Sequence, residues 1–284
     1  MAVGIGVNSW VWTSPFTTES LGLLKKAAQM GFDSFEIALE DPSHVDGSRV
    51  KEAIEATGLI PVVCGAFGPS RDLTHEDAAI RTESLNYIRE AVKLCKAWNA
   101  KILCGPMYSA VGKRRHVSPD QKKIEWALAV KGLKQAGAIA ADHNVVLAIE
   151  PLNRFETDLI NTCEQCVRLV NEVGSNSVRI HLDTFHMNIE ENSIYEAVKL
   201  AGKSLAHIHA CENNRGTPGT GLVDWKGLAR GLREVGYSGQ AVIESFTPEC
   251  KAIAAAAAIW RPLARTQDDL AANGVKFLKP LLNA

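Results

Sequence analysis

Residues 145–150 read VVLAIE, and three segments of the same kind follow: VRIHLD at 178–183, LAHIH at 205–209 and QAVIE at 240–244. Each is a short apolar run that ends on a side chain able to bind a metal ion. Short apolar runs separated by longer amphipathic segments are typical of βα units, whose strands form a parallel sheet. We therefore interpret the four segments as consecutive strands of such a sheet.

Four more segments with this rhythm come earlier in the chain, at 3–9, 34–39, 59–66 and 101–105, so the sequence predicts eight strands. Eight βα units predict an α/β fold, a closed (β/α)8 TIM barrel, more readily than an open doubly wound sheet. No GxGxxG motif follows the first strand, so the phosphate loop of a dinucleotide-binding fold is missing. The barrel is the favoured fold.

The length of 284 residues fits one such barrel, because this fold typically needs about 250 residues. No change of composition separates a second domain, and we predict a single TIM-barrel domain over residues 1–284. Hydrophobic residues make up 46% of the chain, which leaves ample material for a core.

Local signals indicate where some of the helices begin. Amphipathic patterns predict helices at 76–98 and 119–143, and Ser118 is the expected N-cap of the second. Thr162 and Gln165 have the spacing of a capping box, which predicts that another helix begins there.

The charge balance argues against one class of partner. The chain has 31 Lys and Arg against 32 Asp and Glu, a formal net charge of −1, whereas nucleic-acid binding needs a broad positive field. The longest apolar stretch, 252–260, is far shorter than the roughly 20 residues of a membrane helix, and the first residues do not resemble a signal peptide. We expect a cytoplasmic protein with a small polar ligand and no nucleic-acid or membrane partner.

Seven cysteines, an odd number in apolar surroundings, indicate reduced core thiols rather than a disulfide framework. Cys163 and Cys166 form a CxxC motif. No second CxxC or histidine pair accompanies it, and a spacing of three residues fits one face of a helix. We therefore prefer a structural role for these two thiols over a redox or zinc site.

The strand ends carry the strongest functional signal. In a TIM barrel the chemistry lies at the carboxyl-terminal ends of the strands, and the last four predicted strands end on Glu150, Asp183, His209 and Glu244. Three carboxylates and an imidazole suit a hard or borderline divalent ion such as Mn²⁺, Mg²⁺ or Co²⁺. His207 shares a strand face with His209, but it lies farther from the loops, so we place it inside the barrel and assign the ligand to His209.

More polar residues lie near these strand ends than a metal ion alone would need. A polyhydroxylated substrate requires such donors and acceptors. These residues are Asn153, Arg154, Glu156, His186 and Arg215. Taken singly, Glu156 and Arg215 are more often solvated loop charges, and His186 is more often a residue at the start of a helix.

Four segments, IEPLNRFE, HLDTFHMNIEE, HIHACENNRG and VIESF, resemble the motifs of the ketose 3-epimerases, the group of D-tagatose, D-psicose (D-allulose) and L-ribulose 3-epimerases. The resemblance extends over most of the chain, from GFDSFEIAL to IWR, and is sharpest in residues 145–246. It implies a xylose-isomerase-like TIM barrel of carbohydrate metabolism, assembled as a homodimer or homotetramer, that binds a ketose and uses Mn²⁺ or a similar ion.

The resemblance also implies roles for individual residues. The four residues assigned above as metal ligands match the ligands of the family, and two of them, Glu150 and Glu244, match its acid/base pair as well. Residues that hold the O1 to O3 end of the sugar correspond to Glu156, His186 and Arg215.

The resemblance implies a second group of substrate-binding residues around the far end of the sugar. Aromatic and small side chains from the first and third strands form this part of the pocket in the family. The corresponding segments here are NSWVWTS and VVCGAFG, so we predict Asn8, Trp12, Cys64 and Phe67 as pocket residues. Phe246, in VIESF, is a further predicted substrate-binding residue.

These features predict a metal-dependent 3-epimerase of a free, unphosphorylated ketose. Inversion at C3 requires the removal of a proton beside the carbonyl and the return of one to the opposite face. Glu150 and Glu244 would act as base and acid on the two sides of an enediolate. A divalent ion would stabilise the negative charge as a Lewis acid. His186 and Arg215 would hold the O2 and O1 region of the sugar, and Glu156 would position either His186 or the sugar.

Other functions stay open at this point. An aldose-ketose isomerase on the same fold would use the same metal chemistry. An epimerase of a phosphorylated sugar would need more basic residues than Arg215 and Lys226 near the glycine-rich loop. A metal-dependent DNA-repair endonuclease would carry more histidine ligands and a basic groove. A catalytically silent sugar-binding protein would not need both Glu150 and Glu244.

Overall fold

The computed structural model describes residues 2–284 and contains a closed barrel of eight parallel strands, in which β1 pairs with β8. The predicted (β/α)8 barrel is confirmed, and each predicted strand lies within one residue of its observed bounds at either end. The strands are β1 (Gly4–Asn8), β2 (Ser34–Leu39), β3 (Ile60–Gly65), β4 (Ile102–Gly105), β5 (Val146–Ile149), β6 (Val178–Asp183), β7 (Leu205–His209) and β8 (Gln240–Ile243).

Ten α-helices within residues 2–284 connect the strands and cover the barrel. Ser118 caps α4 by accepting a hydrogen bond from the Gln121 backbone, and Thr162 and Gln165 form the predicted capping box of α5. The helices are α1 (Gly22–Met30), α2 (Gly47–Thr57), α3 (Ala78–Trp98), α4 (Pro119–Ala141), α5 (Cys163–Val173), α6 (Thr184–Glu190), α7 (Ile194–Ala201), α8 (Trp225–Val235), α9 (Lys251–Ala256) and α10 (Gln267–Leu282).

The layers inside and outside the strands differ in polarity. Outward-facing side chains such as Ile5, Ile37 and Leu103 are buried in an apolar layer between the strands and the helices. The barrel interior, which branched apolar residues usually fill, instead contains fully buried polar side chains. These are Asn8, Glu36, His181 and His207, with Asp183 and His209 at the mouth.

The register between β6 and β7 stacks this polar interior in two levels. Asp183 is paired with His209 near the mouth, and His181 is paired with His207 one level below. Because side chains two residues apart on a strand share a face, all four point into the barrel. The strand register therefore places two histidines directly beneath the predicted metal ligands.

Six of the seven cysteines are buried, as the sequence predicted, whereas Cys250 is half-buried. All seven are free, and Cys163 and Cys166 are buried on α5, where their thiols contact the backbone oxygens of Ala197 and Ile149. None of the helices in residues 2–284 combines the length and the apolar character that a membrane crossing requires.

Candidate active site

The carboxyl-terminal ends of the strands open into a cavity of about 360 Å³. Polar and apolar residues that were predicted from different parts of the sequence come together on its walls. Eight of the predicted site residues line it: Cys64, Phe67, Glu150, Glu156, His186, Arg215, Glu244 and Phe246. Asp183 and His209 are buried beneath the lining residues, where they contact Glu244 and Arg215.

His209 lies at the centre of this cluster. Its Nδ1 is 3.5 Å from Glu244 Oε2, 3.7 Å from Asp183 Oδ2 and 3.9 Å from Glu150 Oε1. This buried nitrogen has no hydrogen-bond partner among residues 2–284. A divalent ion would satisfy such an arrangement, because an imidazole nitrogen and carboxylate oxygens are all metal ligands. The donor set therefore fits the expected ion.

Burial and the neighbouring charges shift the pKa values of two acids in the cluster, Glu150 and Asp183, in opposite directions. Burial raises the pKa of Glu150 well above its usual range, and Glu244 and Asp183 add to this shift although His209 opposes it. Burial would also raise the pKa of Asp183, but Arg215 outweighs it and holds that pKa well below its usual range. Without a bound ion, Glu150 thus keeps its proton to a higher pH than a free glutamate does, whereas Asp183 stays ionised to a lower pH than a free aspartate.

Glu36 is a buried carboxylate at the base of the cluster that the sequence analysis missed. Its oxygens accept hydrogen bonds from Asn8 Nδ2 at 2.7 Å, His207 Nε2 at 2.7 Å and His209 Nε2 at 2.8 Å. Although burial opposes ionisation, the two histidines hold the pKa of Glu36 well below its usual range. By engaging Nε2 of His209, Glu36 leaves Nδ1 facing the three carboxylates, as outer partners of metal-binding histidines commonly do.

His181 is another buried residue of the barrel interior. Both ring nitrogens are buried and have no hydrogen bond within residues 2–284, and Nδ1 lies 3.6 Å from Glu150 Oε2. Burial lowers the pKa of His181 well below its usual range, so the ring is neutral. Its imidazole packs edge-on against His209, with 4.1 Å between the ring centroids. His181 therefore supports both His209 and Glu150 from below.

Arg215 brings a positive charge to the carboxylates. Its Nη1 lies 2.7 Å from both Asp183 Oδ2 and Glu244 Oε2. The guanidinium is stacked on Phe185, 4.1 Å from the ring centroid, and lies 5.3 Å from that of Phe246. Two aromatic rings and two carboxylates thus hold this cation in one orientation at the cavity wall.

Arg215 depends on an ordered loop after β7, which the buried Glu212 organises. The Glu212 carboxylate accepts hydrogen bonds from Trp225 Nε1 and from the backbone nitrogens of Asn213, Gly219 and Val223. A Cβ at Gly221 would lie 2.8 Å from the Glu212 carboxyl carbon, so this approach requires glycine. The NNRGTPGTG segment is therefore an ordered loop, held by the hydrogen bonds of the Glu212 carboxylate.

A short hydrogen-bond chain sets the orientation of His186. His186 Nδ1 accepts from the Asn153 backbone nitrogen at 3.1 Å, and Asn153 Nδ2 lies 2.8 Å from the same nitrogen and 2.9 Å from Glu156 Oε1. Burial lowers the pKa of His186, which favours the neutral ring. Since Nδ1 accepts, the ring proton is on Nε2, which lies 3.8 Å from Glu150 Oε1. His186 therefore offers a donor toward the cluster.

Two predicted pocket residues lie outside the cavity. Asn8 is inside the barrel, where it contacts Glu36, because β1 ends there and its side chain points inward. Trp12 directly follows a 3₁₀ turn instead of a continued strand, and its indole donates to Asp268 on the outer surface. The tryptophan that lines the cavity is Trp10, which stacks on Phe246 with 5.6 Å between centroids.

Arg154 also lies away from the cavity, although it directly follows Asn153. Its guanidinium pairs with Glu190 Oε1 at 2.9 Å on the surface. Lys226, the other basic residue considered near the glycine-rich loop, does not line the cavity either. Arg215 is thus the only cationic side chain among the lining residues that the structure describes.

A larger cavity of about 520 Å³ shares only Pro69 and Val111 with this one. Its two basic side chains are already paired, since Lys113 Nζ lies 2.7 Å from Asp72 Oδ2 and Arg115 Nη2 lies 2.9 Å from Glu125 Oε1. The candidate site is therefore the smaller cavity, where buried polar atoms lack partners.

Comparison with known proteins agrees with this geometry. The family model described as a xylose isomerase-like TIM barrel matches residues 24–281. The L-ribulose 3-epimerase of Methylomonas sp. (strain DH-1) is 31% identical over 277 residues, which cover 96% of this chain and 96% of that protein. The D-psicose 3-epimerase of Agrobacterium fabrum is 30% identical over 287 residues, covering 98% of each. This chain belongs to the ketose 3-epimerase family.

Membership in a family of isomerases confirms the resemblance inferred from the four motifs. It is also supported by a solved structure, the D-allulose 3-epimerase from Methylomonas sp. in complex with D-allulose, which superimposes with a TM-score of 0.92 at 30% identity. The match covers 98% of this chain and 97% of that one.

Proposed function

We propose that this chain is a metal-dependent ketose 3-epimerase that inverts C3 of a free ketose. One observation carries the proposal: Glu150 and Glu244 line one cavity, and the unpartnered Nδ1 of His209 lies within 3.9 Å of a carboxylate oxygen of each. Relatives named for free ketoses support the choice of substrate, and the published complex holds D-allulose.

Glu150, Asp183, His209 and Glu244 would hold the ion. Mn²⁺ is our first choice, with Co²⁺ and Mg²⁺ as alternatives, because three carboxylates and one imidazole suit hard or borderline ions. When bound, the ion would supply Lewis-acid stabilisation of negative charge on the sugar oxygens.

Glu150 and Glu244 would carry the proton transfers. They extend from β5 and β8, three strands apart around an eight-stranded barrel, and so approach a ligand from well-separated directions. One carboxylate removes the C3 proton, and the other, in its acid form, protonates the opposite face of the resulting enediolate.

His186 and Arg215 would hold the oxygens near C1 to C3. His186 Nε2 and Arg215 Nη2 lie 3.4 Å apart, so two donors face the same region of the cavity. Glu156 acts through Asn153, which fixes the His186 ring. These contacts orient the sugar so that C3 lies between the two carboxylates.

The test is an assay of the Mn²⁺-supplemented protein with D-tagatose, D-fructose, D-psicose, L-ribulose and tetruloses, with products separated by chromatography. Products that are ketoses differing only at C3 support the proposal. Aldose products would instead indicate an aldose-ketose isomerase, and binding without turnover would indicate a silent sugar-binding protein. Metal analysis of the purified protein identifies the ion, and light scattering tests the expected homodimer or homotetramer.

The acid/base assignment has its own experiment. Glu150→Gln and Glu244→Gln keep the size of each side chain but remove its ability to exchange a proton, and we expect kcat to fall by about 10² to 10⁴-fold in each. Metal content of each variant must be measured in parallel. A variant that binds the ion and keeps near-native kcat would contradict the assignment.

A further inference from the structure

Glu40 is a carboxylate of the cavity that the proposed reaction does not use. It directly follows β2 and lines the same cavity as Glu150 and Glu244. Its Oε1 accepts hydrogen bonds from Trp10 Nε1 at 2.9 Å and Ser14 Oγ at 2.7 Å. No residue in the described range 2–284 hydrogen-bonds to Oε2. One oxygen is therefore fixed by the protein, and the other is available to a ligand.

The rest of the cavity makes this oxygen distinctive. Apart from Glu40, the Cys64 thiol and the residues assigned to the metal and the O1 to O3 end, every lining residue is apolar or glycine. Trp10, Phe67, Val111 and Ile253 are examples. A sugar hydroxyl buried against such a wall would lose its water partners without replacement. Glu40 is the acceptor that prevents this loss.

We propose that Glu40 Oε2 accepts a hydrogen bond from a hydroxyl on C5 or C6, and so selects unphosphorylated ketoses of five or six carbons. The proposal rests on the proposed function, which places C3 between Glu150 and Glu244 and leaves the far end of the chain for the remaining walls. A hydrogen bond from a hydroxyl to a fixed carboxylate is charge-assisted and therefore strong. Trp10 and Ser14 hold the carboxylate in place before the sugar arrives.

The same carboxylate would exclude a phosphorylated sugar. A terminal phosphate would bring a negative charge against Glu40, in a cavity whose other ionisable lining residues include Glu150, Glu156 and Glu244 and a single arginine. The nearest cation on this side, Arg71, donates to the backbone oxygens of Glu40 and Ala66 and does not line the cavity. Within residues 2–284, no lining cation is left to neutralise a phosphate at this end.

The experiment compares wild type, Glu40→Ala and Glu40→Gln, each loaded with Mn²⁺, on a ketohexose, its 6-phosphate, a ketopentose and a tetrulose that lacks C5 and C6. We expect Glu40→Ala to lower kcat/KM about tenfold for the ketohexose and ketopentose, the usual loss for one hydrogen bond to a charged group. The value for the tetrulose stays within about twofold of wild type. Glu40→Gln raises the ratio of kcat/KM for the 6-phosphate over the ketohexose about tenfold.

Glu249→Gln is the matched control. Both Glu249 and Glu40 lie near Cys250, but Glu249 is exposed and does not line the cavity. It should leave all the ratios unchanged. Equal losses on the tetrulose and the ketohexose would assign Glu40 a purely structural role and overturn the proposal, as would unchanged ratios in both Glu40 variants.

Failure of the epimerase function is distinguishable from failure of this inference. If the wild type converts none of the ketoses, the proposed function is wrong, whereas conversion that is insensitive to Glu40 rejects only the inference. Calorimetric binding of the ketohexose and the tetrulose to metal-loaded wild type and Glu40→Ala measures the same selectivity without turnover. If the ratio of ketohexose affinity to tetrulose affinity is the same in wild type and Glu40→Ala, the role of Glu40 is rejected.

Discussion

Glu36 Oε1 lies 2.8 Å from His209 Nε2, on the side of the imidazole opposite to the three carboxylates. The contact is completely buried, and His207, Asn8 and the Cys104 thiol also donate to the Glu36 carboxylate. One interior acid therefore determines which nitrogen of His209 faces the proposed ion, and it links the interior of the barrel to the chemistry at its mouth.

Glu36→Gln should weaken metal binding. An amide presents an N–H to one of the two histidines where the carboxylate presents an acceptor, so His209 loses its fixed orientation. We expect Mn²⁺ affinity to fall about 10 to 100-fold, as is usual for outer partners of metal ligands. Titration calorimetry with Mn²⁺ measures this, and a thermal melt checks that the variant is folded. A folded variant with wild-type Mn²⁺ affinity would show that Glu36 does not position the ligand.

Metal binding should release protons, and the affinity should rise with pH. Burial raises the pKa of Glu150, while for His209 the charges of Glu36 and Glu244 outweigh burial and raise its pKa. Both groups therefore carry protons up to a higher pH than usual in the metal-free chain, and these protons compete with the ion. The affinity falls as the pH drops through the raised pKa values. Calorimetry near neutral pH in buffers of different ionisation enthalpy should detect the release, and its absence would count against these ligands.

Trp10→Phe and Trp12→Phe should differ sharply. Trp10 lines the cavity and holds Glu40, whereas Trp12 pairs with Asp268 on the outer surface. Loss of the Trp10 indole N–H removes one of the two donors to Glu40, and we expect kcat/KM for a ketohexose to fall about fivefold to tenfold. Trp12→Phe serves as the matched control and should remain near wild type. Equal effects of the two substitutions would contradict the cavity assignment.

Asn153→Ala should impair catalysis through His186. The substitution removes the Nδ2 donor that joins His186 to Glu156, although the backbone donor remains. We expect a fall of about tenfold in kcat/KM. Arg154→Ala, one residue later, removes only a surface pair with Glu190 and should have less than about a twofold effect. Steady-state kinetics on the same ketose compares the two.

Glu212→Ala should destabilise the loop that carries Arg215. The substitution leaves four donors without their acceptor, the Trp225 indole and three backbone nitrogens. Each buried unsatisfied group costs about 1 to 3 kcal/mol, and water entering the space offsets part of this, so we expect unfolding free energy to fall by about 3 kcal/mol. Denaturant unfolding measures the change. An unchanged unfolding free energy would mean that the loop does not depend on Glu212.

The strand ends were predictable because they depend on local pattern. Alternation along a strand and the rule that barrel chemistry lies at carboxyl-terminal ends together indicate Glu150, Asp183, His209 and Glu244 from the sequence alone. The same alternation could have identified Glu36. In SFEIAL it shares one face of the strand with Ser34 and Ala38, whereas the large apolar residues Phe35, Ile37 and Leu39 lie on the other face. The signal was present but masked by the apolar character of the segment.

Other parts of the site depend on contacts between distant residues and gave no local signal. The 3₁₀ turn after β1 changes the direction of the next side chains, and the partner of Trp12 is Asp268, 256 residues later in the chain. Among residues 2–284, Glu40 Oε2 is left without a protein donor because Trp10 and Ser14 both donate to Oε1 of the same carboxylate. Side-chain pairs of this kind become visible only once the barrel has closed.

The alanines on and next to α9 decide in which direction the substrate range can be engineered. Ala252, Ala256 and Ala257 form part of the cavity wall. Truncation can remove little more than a methyl group at these positions, so nearly every substitution there fills space instead of creating it. Libraries built on this wall should therefore favour shorter sugars. Variants for bulkier molecules will require a longer segment between β8 and α10, because the helix backbone itself limits the available room.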